Sequence, residues 1–213
     1  MQILLSLHCS SNYKIVNQTS GIPVNSAVLR AFLSNLKYPK NRISLMEKNG
    51  ELIRLKRDLY VYNNPSISKE LIANHLYGIS YISLETALAF YGMIPERVYA
   101  IRSVTTKRAK TFTTPVGIFE YRTVDPEYFS IGIKQEIIDN QFAFLIATPT
   151  KAICDMVVLT PYLRLQSARA MKEYLFDDLR IDFESIGSLN RDVVRQCIET
   201  GKKKSELRWL LEI

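Results

Sequence analysis

Four residues between Pro39 and Gly50 have the chemistry to read a nucleic acid. On a helix turning about 100° per residue, Lys40, Asn41, Ser44 and Lys48 share one side within about a quarter-turn. Asn pairs through two bonds with adenine, Lys reaches guanine or phosphate, and Ser serves either role. Ile43 and Met46 fall on the opposite side, so the polar stripe is the outer face of a helix that packs through its inner one. Arg42 lies nearer the apolar side, which suits a flanking phosphate contact or a structural one. An ordinary solvated helix has the same pattern, and the helix alone does not decide between them.

A second group of cations follows at hairpin spacing. Leu52–Lys56 and Leu59–Tyr62 read as two short strands around a tight turn at Arg57-Asp58. Period-two alternation puts Ile53 and Leu55 on one face and Arg54 and Lys56 on the other, with Arg57 at the tip. Three cations on a two-stranded wing beside a polar helix face make a clamp for backbone phosphates. Tyr60 and Tyr62 either add hydroxyl contacts or sit half-buried in their strand.

These side chains need elements to hold them. Asn25-Ser26 caps a helix with Val28, Leu29, Phe32, Leu33 and Leu36 on one apolar face. Tyr38-Pro39 restarts the chain, Pro39 suits a first helical turn, and Gly50 ends that helix. Helix, helix and basic hairpin is the order of a winged helix-turn-helix. The opening Met1–Cys9 reads as a helix of the fold, because it lacks the positive n-region and cleavage site of a signal peptide.

The turn-rich Asn63-Asn64-Pro65-Ser66 marks the expected boundary, with residues 1–64 as the DNA-binding domain and 65–213 as a mixed α/β domain. A softer boundary lies near Thr160-Pro161. Ser68 and Ser83 read as helix caps, Val98–Thr105, Phe112–Thr113, Ile118–Thr123 and Phe142–Ala147 as strands, and Thr148-Pro149 as the start of a helix through Leu159. From Arg164 onward, and so over 165–213, the chain reads as helical. The expected fold class is α+β.

Charge agrees with that division. The 213 residues carry 28 basic and 21 acidic side chains, a net charge of +7. Residues 1–64 hold nine basic and three acidic side chains, while the remainder is nearly balanced. A polyanionic partner is therefore expected for the first domain only. The longest apolar run, Phe142–Ala147, is far short of the ~20 residues a bilayer requires, so no membrane partner is expected. Cys9, Cys154 and Cys197 are odd in number and form no CxxC, which argues against a disulfide framework or zinc site and fits a reducing cytoplasm.

Enzymatic chemistry finds little footing. The carboxylate-x-Lys pair of many nucleases is absent, the nearest sequence being Glu120-Tyr121-Arg122. His8 and His75 are the only histidines, and neither GxGxxG nor GxxxxGK[ST] occurs. Gly187-Ser188-Leu189-Asn190 is similar to the Gly-Ser loop of nucleotidyltransferases but lacks the Asp-x-Asp that follows it, leaving Asn190 as a helix cap. No catalytic residue, metal ligand or cofactor is expected. Lys202-Lys203-Lys204 reads as a solvated turn or a second basic patch, and Leu207, Trp209, Leu210 and Leu211 as a docking stripe.

The run from Tyr38 through Val61 resembles the N-terminal domain of AbiEi-family antitoxins. Those carry a Tyr-x-x-Pro-x-x-Lys-Ile-x-x-Leu pattern followed by Gly-x-Leu-Ile-x-Leu-Lys-Arg-Gly-Leu-Tyr-Val. The resemblance continues through Ser80–Pro95, with its Tyr81-Ile82-Ser83, and returns at Ala147-Thr148-Pro149-Thr150-Lys151-Ala152-Ile153-Cys154-Asp155. It covers about residues 25–160. Asp58 stands where the family has glycine and Arg42 where it has lysine; Asp tolerates a left-handed turn and Arg keeps the charge.

The resemblance implies a cytoplasmic antitoxin of a bacterial type IV toxin–antitoxin system, of the abortive-infection kind that defends against phage. Such a protein represses its own promoter as double-stranded DNA and counteracts a nucleotidyltransferase toxin without a stable complex. The alternatives are a winged-helix regulator or interaction protein unrelated to toxin–antitoxin function, whose basic face binds a protein or RNA, and a DNA nuclease.

Overall fold

The chain is described by a computed structural model over residues 21–65, 67–138, 142–182, 186–187 and 189–213. The helix expected at Met1–Cys9 lies outside these residues. Two units divide the chain: the first runs to Leu76 and takes in Thr114–Val116, and the second holds the rest. The division therefore falls at Leu76-Tyr77 rather than at Asn64-Pro65. Its physical reason is a helix, Lys69–Leu76, whose last carbonyl accepts a hydrogen bond from Lys56 Nζ of the hairpin. A cation on the C-terminal end of a helix complements the helix dipole, so the helix stays with the first unit.

In the first unit, β1 (Val24–Asn25), β3 (Leu59–Tyr62) and β2 (Leu52–Lys56) form an antiparallel sheet in that order. Two helices, α1 (Ser26–Phe32) and α2 (Pro39–Lys48), lie between β1 and β2 in sequence. Asn25 caps α1, its side chain accepting the amide of Val28 at 2.8 Å. At the end of α2, Gly50 (φ +72°) takes the left-handed conformation. Its amide bonds to Glu47 O and the amide of Glu51 to Met46 O, the paired bonds of a Schellman motif. Leu29, Leu33, Ile43, Met46, Leu52, Tyr60 and Tyr62 close one apolar core against these elements. Each such burial contributes about 1.5–3 kcal/mol before entropy is set against it. The helix Lys69–Leu76 is α3, started by Ser68, whose hydroxyl accepts the amide of Leu71.

The second unit is built on a six-stranded mixed sheet in the order β6-β7-β5-β4-β9-β8. Its strands are β4 (Ser80–Ile82), β5 (Ala100–Thr105), β6 (Lys110–Thr114), β7 (Gly117–Thr123), β8 (Ile133–Ile138) and β9 (Phe142–Ala147). β4 and β9 run parallel, as do β5 and β7, whereas β4–β5 and β8–β9 are antiparallel. Between the strands lie α4 (Leu84–Phe90) and the short α5 (Pro126–Phe129); then come α6 (Pro149–Leu159), α7 (Ala168–Glu173, running into a π-helical turn through Asp178), α8 (Arg191–Thr200) and α9 (Lys204–Trp209). The chain is thus α+β. β4 and β8 went unread in the sequence because three residues are too few for a pattern in one case, and the polar Lys134-Gln135-Glu136 interrupts the other.

α6 is the hub of this unit, packing against α4, α8 and α9. Thr148 caps it, with Pro149 in the first turn as expected, and Thr150 through Val157 are all buried. The expected boundary at Thr160-Pro161 is crossed by Lys203 Nζ, which donates to Val157 O and Thr160 O at 3.1 and 2.7 Å. Lys203 therefore closes α6, and Lys204 Nζ bonds Glu199 O, so this lysine run serves the fold. Leu207 and Leu210 are buried, and Trp209 Nε1 donates to Leu165 O, which docks α9 on its own unit. The chain after Arg164 is helical only in part, since Leu179–Asp182 forms no helix. Asn190 caps α8, accepting the amides of Asp192 and Val193.

Candidate nucleic-acid interface

The orientation of α2 follows from its two buried residues. Ile43 and Met46 are 5% and 1% exposed and point into the first unit's core. Lys40, Asn41, Ser44 and Lys48 are consequently exposed on the other side. Among the described residues none of these four side chains has a hydrogen-bond or ion-pair partner. The stripe expected from spacing is present as a continuous, unpaired polar face.

Carboxylates of the same unit explain why this face is positive. Glu51 pairs with Arg42 at 3.5 Å, Glu47 with Arg54 at 3.4 Å, and Asp58 with Arg57 at 3.7 Å. Each acid between Gly21 and Asn64 is thus engaged by an arginine, and the lysines of α2 are left uncompensated. Arg42 is half-buried between α2 and the start of β2, so its role is structural rather than a phosphate contact. It also offsets part of the burial that, with Glu51 alongside, pushes the Tyr62 hydroxyl up to about 12.

The hairpin departs from the expected alternation. Arg54 pairs across the ladder with Tyr60 and Lys56 with Leu59, a register shift that leaves Leu55 as a bulge. Tyr60 and Leu59 are neighbours on one strand and face opposite ways, so Arg54 and Lys56 do too. Arg54 folds over Tyr60, its guanidinium 5.4 Å from the ring and donating to the hydroxyl at 2.9 Å. Tyr60 raises the Arg54 pKa further by that bond and its charge, so the group stays cationic. Lys56 is held by Leu76 O. Both cations thus have partners within the unit, and Leu55, not Ile53, is the buried member of the expected apolar pair. Tyr60 and Tyr62 are core residues at 4% and 3% exposure.

Arg57 remains at the tip with a side chain 97% exposed, in loose contact with Asp58. Asp58 holds the turn at φ +61°, the left-handed conformation expected of it. Its Oδ1 accepts the Ser26 hydroxyl at 3.0 Å, and its carbonyl accepts the Ser26 amide at 3.1 Å, fixing the tip to the start of α1. Of the eight residues expected at the interface, Lys40, Asn41, Ser44, Lys48, Arg54 and Arg57 are exposed, Arg54 while engaged by Tyr60 and Glu47, whereas Arg42 and Lys56 are partly buried and engaged within the unit. Lys37 and Tyr38, which the spacing did not single out, extend the exposed face: Tyr38 is 61% exposed, with the Lys37 ammonium 5.5 Å from its ring.

The second unit holds a buried polar cluster that no spacing announced. Ser83 Oγ and Tyr81 OH donate to Asp155 Oδ2 at 2.6 and 3.0 Å, and Lys151 Nζ lies 3.2 Å from Oδ1. Lys151 also donates to Tyr128 O at 2.9 Å, and its ammonium rests 3.1 Å from the centroid of that ring. Burial and the Asp155 charge hold the Tyr81 and Tyr128 hydroxyls far above the ordinary tyrosine range. Ser83 therefore serves Asp155 rather than capping α4, the role its position had implied. Cys154 and Cys197 are free thiols in the same interior, as expected of packing cysteines.

No family model and no curated protein sequence matches the chain. The crystal structure of the RV2827C protein from Mycobacterium tuberculosis is similar over 95% of this chain and 80% of its own, with a TM-score of 0.55 and 10% identity. The likeness is one of fold, and it agrees with an α+β chain whose helices and strands are mixed along the whole sequence.

Proposed function

We propose that the first unit is a winged helix-turn-helix that binds double-stranded DNA and that the protein represses transcription from its own promoter. One observation carries this reading: α2 presents Lys40, Asn41, Ser44 and Lys48 as an unpaired face, while every carboxylate described around it is occupied by an arginine. Lysines so placed release counterions on meeting phosphates, and Asn41 and Ser44 have the donors and acceptors to contact base edges. Arg57 at the hairpin tip supplies a flanking phosphate contact.

The same proposal extends to an antitoxin of the AbiEi type that acts in the cytoplasm against a nucleotidyltransferase toxin. What supports this part is the meeting of the two segments that carry the resemblance in the second unit. Tyr81 and Ser83 of one segment bond Asp155 of the other.

Fluorescence anisotropy with DNA from upstream of the reading frame and a scrambled duplex, from 50 to 200 mM salt, tests the reading. Binding to its own DNA about tenfold tighter at the higher salt, or ≈ 1.4 kcal/mol, is the expected result. Equal and wholly salt-sensitive binding of both duplexes refutes sequence-specific regulation.

A further inference from the structure

The loop between β5 and β6 and the first residue of β6 carry Lys107, Arg108 and Lys110 within four exposed residues, in the unit whose overall charge is close to neutral. Among the described residues none of the three is paired with a carboxylate, although most other arginines of this unit are. The loop backbone is fixed: Thr123 Oγ1 donates to Lys107 O at 2.7 Å, and Tyr77 OH donates to Arg108 O at 3.1 Å. Beneath it lie aromatic rings in mutual contact, Tyr77 and Phe112 at 5.5 Å and both against Tyr121.

Those rings turn their faces toward the cations. Lys110 Nζ lies 4.7 Å from the Phe112 centroid and 5.6 Å from that of Tyr77, and Lys107 Nζ lies 5.5 Å from Tyr77. Phe112 and Tyr77 are half-buried, and Ile79 nearby is 72% exposed. Cations interleaved with accessible ring faces suit a strand whose bases are unstacked, because a base can take the ring face while the displaced ammonium meets the adjoining phosphate. A duplex keeps its bases stacked inside and gains nothing from the rings.

We propose that the Thr105–Phe112 segment with Tyr77 is a binding surface for single-stranded nucleic acid, separate from the α2 face and independent of the duplex-binding reading. Arg108 is the phosphate contact, its side chain having no hydrogen bond or ion pair among the described residues, and Phe112 is the stacking platform.

The full chain is titrated by anisotropy with a labelled oligothymidylate of about 12 nucleotides and with the upstream duplex, at about 50 mM salt. Expected are salt-dependent binding of the oligothymidylate, about tenfold weaker in Arg108→Glu and about fivefold weaker in Phe112→Leu, with duplex affinity changed less than about twofold. Arg108→Glu removes no side-chain hydrogen bond or ion pair among the described residues, so an unchanged thermal midpoint accompanies it, and the midpoint of Phe112→Leu is measured alongside. Absence of oligothymidylate binding by the wild-type chain overturns the inference. Equal weakening toward duplex and single strand overturns it too, leaving a general phosphate contact, as does a Phe112→Leu that folds and binds normally. A wild-type chain that does not prefer its own duplex refutes the repressor reading while leaving the oligothymidylate result to stand.

Discussion

Lys151 and Asp155 stand one turn apart on α6 with 3.2 Å between Nζ and Oδ1, and neither side chain is exposed to solvent. Such a pair gains little over an apolar substitute but leaves a stranded charge when one partner is removed. Lys151→Met is therefore expected to destabilise the protein by about 3–5 kcal/mol, and Lys151→Met with Asp155→Leu by clearly less. Urea unfolding of the single and double variants measures both. Equal losses in the two would show that the charges do not act as a pair.

The α2 face gives a prediction in salt. Lys40→Ala with Lys48→Ala should weaken binding to every duplex and lower the slope of log K against log salt by about two. Asn41→Ala should instead cost about 1–3 kcal/mol on the preferred duplex alone. Anisotropy against the upstream and scrambled duplexes separates the two effects, and an Asn41→Ala loss common to both would remove Asn41 from base reading.

The hairpin cations differ in kind. Arg57→Ala should lower the salt slope by about one and leave the unfolding midpoint unchanged, since its side chain is almost wholly exposed. Lys56→Ala should leave the slope alone and cost about 1 kcal/mol of stability, because it frees the α3 carbonyl it now serves. Reversed outcomes would restore the alternation that the bulge at Leu55 breaks.

At Asp58 two effects oppose one another. Glycine would remove the roughly 1–2 kcal/mol cost of a left-handed conformation but also the bond from Ser26, worth about 1 kcal/mol. Asp58→Gly should thus stay within about 1 kcal/mol of wild type, whereas Asp58→Ala, which loses the bond and keeps the strain, should cost about 1–2 kcal/mol. Denaturant midpoints of both variants check the ordering.

Tyr62 makes stability depend on alkaline pH. Its hydroxyl is buried without a hydrogen-bond partner among the described residues, and its pKa rises to about 12 from an ordinary 10. A group whose pKa is higher in the folded state adds stability that is complete below pH 10 and lost as pH rises toward 12. Tyr62→Phe should be as stable as wild type at pH 7 and should lose less between pH 10 and 12, as read from unfolding midpoints across that window.

Local signals were legible wherever one residue type enforces one backbone conformation. Asn25, Thr148 and Asn190 cap helices, Gly50 ends one, and Asp58 turns the hairpin, all where the sequence placed them. The α2 stripe was legible for a related reason: two apolar residues at helical spacing fix which side of a helix looks outward. The alternation of the hairpin was misread because a bulge adds one residue to one strand, and nothing in the composition of Leu52–Lys56 marks it.

Sequence alone thus determined the helical stripe, the basic bias of the first unit and most element boundaries, since these depend on neighbours within a turn or two. Tertiary structure decided which charges are free. Arg42, Arg54 and Lys56 read as cations like any others until Glu51, Glu47 and the Leu76 carbonyl are brought beside them. Lys151, Asp155 and Ser83 form one buried cluster only because α6 is packed into the second unit's interior. A charge's availability is a property of what the fold sets within about 4 Å of it, and spacing along the chain does not contain that distance.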